Sequence, residues 1–166
     1  ILLKFGWLEG ETAERLKANF THHGISPTRV ETRGHTPREE HIRQYGEIDL
    51  MLDSWPHVGG ITTLEAMYSG VPCVTLLGPR APSRVSASFL TQLGMTDWIA
   101  KTPEQYVQIA IDKCAEDLSE LRSTLPGRIK SISLGDPVKY TRELEQVYRD
   151  AWRMWTTHVA TTGGET

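Results

Sequence analysis

The stretch Asp49-Leu-Met-Leu-Asp53-Ser-Trp-Pro-His57-Val-Gly59-Gly60-Ile-Thr62-Thr63-Leu-Glu65-Ala-Met-Tyr-Ser-Gly70-Val-Pro72 decides the reading of this chain. Its apolar start reads as a buried strand, Gly59-Gly60 as a turn, and residues 62–69 as a helix that opens on threonines. A second apolar strand, 71–76, follows at once. The first N–H groups of a helix lack intrahelical partners, so a helix opened by glycines and hydroxyls is suited to hold an anion. Glu65 lies three residues beyond Thr62, close to one turn along the helix, where a carboxylate reaches a hydroxylated group beside that anion. Phosphate beside sugar hydroxyls points to a nucleotide.

On either side of this stretch the chain alternates strand and helix patterns. Residues 1–5 read as a strand, and 9–23 as a helix with Ala13, Leu16 and Phe20 at helical spacing and Gly24 as its stop. Residues 28–33 read as a short strand. Thr36-Pro37-Arg38-Glu39-Glu40 predicts a helix start, with Thr36 as cap, Pro37 in the first position and Glu39 completing a capping box. Residues 47–53 give the next strand, 83–93 a helix ending at Gly94, and 97–100 a short extended segment. One long helix is expected from Thr102-Pro103 to about Leu121, and another from Asp136-Pro137 to about Trp155. Short strands separated by helices imply an α/β fold, a Rossmann-like parallel sheet with helices on both faces.

Composition narrows the function classes. The 166 residues suffice for one domain with a real core, and 39% apolar with 23% charged content is near globular norms. Net charge is −3 with both signs interspersed, so there is no basic stripe and no reason to propose nucleic acid. Apolar runs are strand-sized, and residues 1–5 lack the segments of a signal peptide, so no membrane partner is expected. Cys73 and Cys114 have no CxxC spacing and fit packing roles in a reducing compartment, which makes a cytoplasmic location the expectation, with the nucleus open to a eukaryotic protein. The chain starts without Met on an apolar strand and reads as a piece of a longer protein. Residues 1–158 are expected to form the domain, and 159–166 a disordered polar tail.

In an open parallel sheet, ligands gather in the loops at the carboxyl ends of the strands. Polar signals fall there in Gly34-His35-Thr36-Pro37-Arg38-Glu39-Glu40-His41, in 57–65, and in Gly78-Pro79-Arg80-Ala81-Pro82-Ser83-Arg84. Neither GxGxxG nor GxxxxGK[ST] is present, and no Asp-x-Asp pair offers a metal motif. Each signal also has a purely structural reading. In isolation Gly59-Gly60 reads as a tight strand-to-helix turn and Thr62 as a simple cap; the order of the surrounding motifs favours binding. Glu65 reads alternatively as a solvated helix face, His41 as cover for a helix edge, and Arg84 as a partner of a loop carbonyl. His57 is a weaker candidate, and His22 and His23 read as surface. Trp152 and Trp155 read as interdomain or core packing rather than a sugar platform.

The run from Asp53 to Leu76 resembles the nucleotide-sugar motif of the O-GlcNAc transferase and SPINDLY family. Pro37-Arg38-Glu39-Glu40-His41, Ser83-Arg84-Val85-Ser86-Ala87-Ser88, Leu93-Gly94-Met95, Trp98-Ile99-Ala100 and Tyr140-Thr141-Arg142-Glu143-Leu144-Glu145, with Tyr148 and Trp152, resemble further segments of that family in order. The resemblance implies the C-terminal, donor-binding half of a two-lobed GT-B unit in an inverting protein O-glycosyltransferase using a UDP- or GDP-sugar. It implies that Gly60, Thr62 and Thr63 hold the diphosphate, that Glu65 lies near the ribose, and that Thr36, Arg38 and His41 lie near the base. It implies no metal and no cofactor beyond the nucleotide sugar, since the helix field offsets diphosphate charge. No catalytic residue is assigned in this chain. The protein acceptor is expected to meet an upstream lobe or helical repeats, and a first strand with a phosphate-binding lysine is expected before Ile1. Two positions depart from the family pattern: Ile61 replaces a hydroxyl or imidazole, and Arg38 stands where many relatives have lysine. A noncatalytic nucleotide-binding or scaffolding module is the alternative. A GT-B-fold epimerase is a third reading, for which the spacing supplies no convincing acid/base set.

Overall fold

The computed structural model describes residues 1–162. Five strands and seven α-helices alternate: β1 (Leu2–Lys4), α1 (Gly10–His22), β2 (Glu31–Arg33), α2 (Arg38–Gln44), β3 (Met51–Leu52), α3 (Ile61–Tyr68), β4 (Cys73–Leu76), α4 (Val85–Gln92), β5 (Ile99–Ala100), α5 (Pro103–Ala115), α6 (Ser119–Ser131) and α7 (Pro137–Thr162). Every strand pairing is parallel, as the βαβ pattern requires. The pairing falls into two sheets, β1–β2 and β3–β4–β5, rather than one continuous ladder. The α/β class with parallel strands is thus the one the sequence implies.

β4 is the centre of the larger sheet. Cys73, Val74 and Thr75 are fully buried, and Val74 joins Met67, Leu90, Trp98, Leu125 and Ile129 in the principal core. Burial pushes the Cys73 thiol well above its ordinary value, as a structural cysteine requires. Cys114 is exposed and fills no packing role.

Several elements differ from their sequence-based bounds, each for a local reason. Pro27 opens a 3-10 turn over Pro27–Arg29, so the strand expected at 28–33 starts only at Glu31. The strand expected at 47–53 shrinks to Met51–Leu52; a 3-10 turn at Tyr45–Glu47 takes its first residue, and the Ile48 and Asp49 carbonyls are bound by Arg122. Its ladder still reaches Asp53, whose N–H meets the Val74 carbonyl at 3.0 Å. The long helix expected from Thr102 breaks at Glu116, which is extended. Asp117 restarts the chain, its carboxylate accepting the Ser119 N–H at 3.0 Å, and Leu118 turns into the core.

Pro126 lies inside α6 and leaves the Arg122 carbonyl without its intrahelical donor. Gly70, which ends α3 at φ 82°, packs against that carbonyl; a Cβ on Gly70 would stand 2.7 Å from it. The Arg122 guanidinium donates to the Ile48 and Asp49 carbonyls at 2.6 and 2.7 Å, locking α6 to the entry of β3.

Asp136 starts α7, its carboxylate accepting the Val138 and Lys139 N–H groups at 3.0 Å. The helix is exposed along almost all of its described length. Val147, Tyr148, Trp152 and Trp155 are all open to solvent, and the two indoles stack at 5.6 Å. It runs on to Thr162, so the tail expected at 159–166 starts within it; residues 163–166 of that tail lie outside the described residues. Among the described residues no helix is long and apolar enough to cross a membrane.

Candidate functional site

The site is built at the carboxyl end of β3, where the chain turns into α3. Gly59 is needed in that turn: a Cβ there would come within 2.2 Å of the Thr63 hydroxyl and 3.3 Å of the Asp53 carboxylate. Asp53 Oδ1 accepts the Gly59 N–H at 2.7 Å, and Oδ2 accepts the Thr75 hydroxyl at 2.7 Å. Ser86 of α4 donates to the Gly59 carbonyl at 3.1 Å. Tyr106 donates to the Asp53 carbonyl at 2.8 Å, and burial raises its hydroxyl far above the ordinary range.

Gly60 caps α3, and no side chain serves as a cap. The first intrahelical bond is Leu64 N–H to the Gly60 carbonyl at 3.1 Å, so the N–H groups of Ile61, Thr62 and Thr63 precede any intrahelical acceptor. The macrodipole of α3 adds positive potential at the same place. Thr62 is exposed there, and so is Ile61, at 76%. Thr63 is fully buried, and its hydroxyl accepts from Ser86 at 3.4 Å. Of the two threonines, only Thr62 offers its hydroxyl outward.

A turn further along α3, Glu65 faces α2. Arg38 Nη1 binds its carboxylate at 2.8 Å and His41 Nε2 lies at 3.8 Å. His41 in turn sits 3.1 Å from the Tyr45 hydroxyl, which donates to the Thr62 carbonyl at 3.2 Å. Arg38, His41 and Glu65 therefore form one cluster, joined to Thr62 through Tyr45. Burial holds His41 below its ordinary value; Lys4, Arg38 and His35 act the same way, and Glu65 opposes them. Burial, aided by Glu65, pushes the Tyr45 hydroxyl up to about 12, so it stays a donor.

Thr36 departs from its expected role as a cap. Its hydroxyl accepts from Lys4 Nζ, and the cap position of α2 falls to Pro37, with no side-chain bond and no capping box. Lys4 also binds the buried Gln44 side chain, so it fastens the start and end of α2 to β1. Arg84 takes its structural reading, donating to the Gly78 carbonyl at 3.3 Å. His57 is exposed and contributes its carbonyl to Ser54 at 2.7 Å. His22 and His23 lie on the surface.

Sequence reasoning passed over Lys4, Tyr45, Asp53, Thr75 and Ser86. Asp53 carried a signal: a carboxylate ending an apolar strand, six residues before the first glycine of the turn. Tyr45 carried another, being one helical turn beyond His41.

The profile of Glycosyl transferase family 41 matches residues 1–144. A rice (Oryza sativa subsp. japonica) protein, the probable UDP-N-acetylglucosamine–peptide N-acetylglucosaminyltransferase SPINDLY, is 37% identical over 138 residues, which is 80% of this chain and 15% of that protein. The Caenorhabditis elegans UDP-N-acetylglucosamine–peptide N-acetylglucosaminyltransferase is 29% identical over 156 residues, 93% of this chain and 13% of its own length. Among solved structures, a mutant of the Thermobaculum terrenum O-GlcNAc transferase superposes with a TM-score of 0.83 at 34% identity, covering 92% of this chain and 30% of that one. The chain thus spans only a small part of its curated relatives. With the profile covering most of its length and the fold agreeing, the chain belongs to glycosyl transferase family 41.

Proposed function

We propose that this chain is the donor-binding lobe of an inverting protein O-glycosyltransferase that uses a UDP- or GDP-sugar. The observation that carries the reading is the start of α3. Unpartnered N–H groups and the exposed Thr62 hydroxyl stand there beside the Arg38–His41–Glu65 cluster. In this reading Gly60, Thr62 and Thr63 hold the diphosphate, Thr63 through its backbone. Glu65 faces the ribose, and Thr36, Arg38 and His41 border the base. Negative charge grows on the diphosphate as the sugar departs, and the fixed N–H dipoles of α3 stabilise it without reorganising. Arg38 and Glu65 neutralise each other in the free protein, and a ribose hydroxyl donating to Glu65 would enter that pair as a third member. The acceptor protein is bound by sequence outside this chain, consistent with the small share of the relatives that it spans. The reading places the enzyme in the cytoplasm.

Calorimetry with UDP and GDP on the full-length protein tests this. One of the two is expected to bind, and Thr62→Ala to weaken it about tenfold or more, as loss of a charge-assisted hydrogen bond requires. Unchanged affinity in a folded Thr62→Ala variant would sink the phosphate assignment. A second reading, a noncatalytic nucleotide-binding or scaffolding module, is favoured by one feature: the exposed apolar Ile61 at the head of the helix. Diphosphate binding without any transfer of labelled sugar to protein would select it.

A further inference from the structure

The Asp53 carboxylate is buried under the glycine turn with both oxygens engaged, one by the Gly59 N–H and one by the Thr75 hydroxyl. A carboxylate's oxygens are acceptors, so both neighbours must aim a proton at it. Thr75 sits fully buried on the central strand, and Asp53 therefore ties the turn to the buried centre of the larger sheet. On the other side of Gly59, its carbonyl is held by Ser86 from α4. The peptide units before and after Gly59 are thus each gripped by a side chain from a different element.

That grip has a directional result. In a planar trans peptide the C=O and N–H point opposite ways. With the Gly59 carbonyl turned to the buried Ser86, the Gly60 N–H must point away from Ser86. A Cβ on Gly60 would meet nothing within 4 Å, so this part of the turn borders open space. Gly59 itself has no room for a side chain, so the holding groups have to come from elsewhere.

We propose that Asp53 and Ser86 are positioning residues of the donor site: Ser86 orients the Gly59–Gly60 peptide, whose N–H is turned to a nucleoside diphosphate, and Asp53 anchors the preceding peptide by holding the Gly59 N–H, neither touching that ligand. The inference rests on the donor-site reading above. It assigns Asp53 no proton transfer. Its role is geometric, so an amide should serve in its place, since Asn can accept from Gly59 while the Thr75 hydroxyl rotates to accept from its NH₂.

The test is calorimetry on the full-length protein with UDP, GDP, uridine and guanosine, alongside thermal unfolding, for Asp53→Ala, Asp53→Asn and Ser86→Ala. Asp53→Ala is expected to lose about tenfold or more in diphosphate affinity, Ser86→Ala somewhat less, and Asp53→Asn to stay within about threefold of the parent. Nucleoside affinity should hold in all three, because the base and ribose side is not oriented by this turn. If the unmodified protein binds neither diphosphate, the donor-site reading fails and takes this inference with it. If it binds one, and folded Asp53→Ala binds it equally well, only this inference falls. Should Asp53→Ala not fold, Ser86→Ala decides: unchanged diphosphate affinity overturns the proposal, as does equal loss of diphosphate and nucleoside binding.

Discussion

His41 stands at the junction of α2 and α3, with Glu65 on one side and the Tyr45 hydroxyl on the other. Its folded pKa lies below the ordinary value of 6.5, chiefly through burial. The unfolded chain therefore binds the proton first as pH falls, and folding stability declines with acidification from about 6.5 down to the lowered folded value. The thermal midpoint is expected to drop between pH 7.5 and 5.5, with a shallower slope in His41→Gln; an identical slope in both would refute the assignment. At this scale the sequence was partly legible. Glu65 could be named from its place one turn along a helix that opens at a strand end, and Arg38 and His41 from the family resemblance of the run that holds them. Asp53, Thr75 and Ser86 could not be joined, because their contacts bridge 22 residues or more and depend on how three elements pack. Thr63 shows the converse: adjacent to Thr62, it turns its hydroxyl the other way, since neighbours on a helix face different directions.

Among the elements, α3 is defined at both ends by glycine. Its start at Gly60 is open to solvent on one side, whereas its end at Gly70 is closed by the Arg122 carbonyl. Gly70→Ala would force a Cβ into the left-handed region and onto that carbonyl, which is expected to cost about 2 kcal/mol or more. Urea denaturation reads this directly, and a midpoint equal to the parent's would contradict the described packing. The sequence placed α3 and β4 within a residue or two, because glycine, proline and apolar spacing all agree there. It misplaced the cap of α2 and missed the restart at Asp117. Thr36 had a better partner in Lys4, from a strand far away in sequence. Asp117 offered only one acidic residue as a sign, while the helical spacing continued through the break. The freed carbonyl of Arg122 shows how two irregularities match: the proline in α6 exposes an acceptor that only a glycine can approach.

Across the whole molecule the parallel α/β class was legible from the alternation of elements alone, and the sorting into two sheets was not. Strand order is a matter of which edges meet, and periodicity says nothing of edges. The exposure of α7 was hidden for a related reason: an amphipathic stripe announces an apolar face and is silent on what covers it. One consequence concerns light rather than binding. Of the five tryptophans only Trp98 is buried, at 2%, while Trp7, Trp55, Trp152 and Trp155 are 80%, 56%, 64% and 59% exposed. The folded chain should therefore emit at the long wavelengths usually associated with unfolded protein, and urea should move the emission maximum little even as circular dichroism reports loss of helix. A short-wavelength maximum in the isolated chain would contradict the exposure described for these indoles. A blue shift on adding a binding protein would make Trp152 and Trp155 an intrinsic optical gauge of contact with that helix.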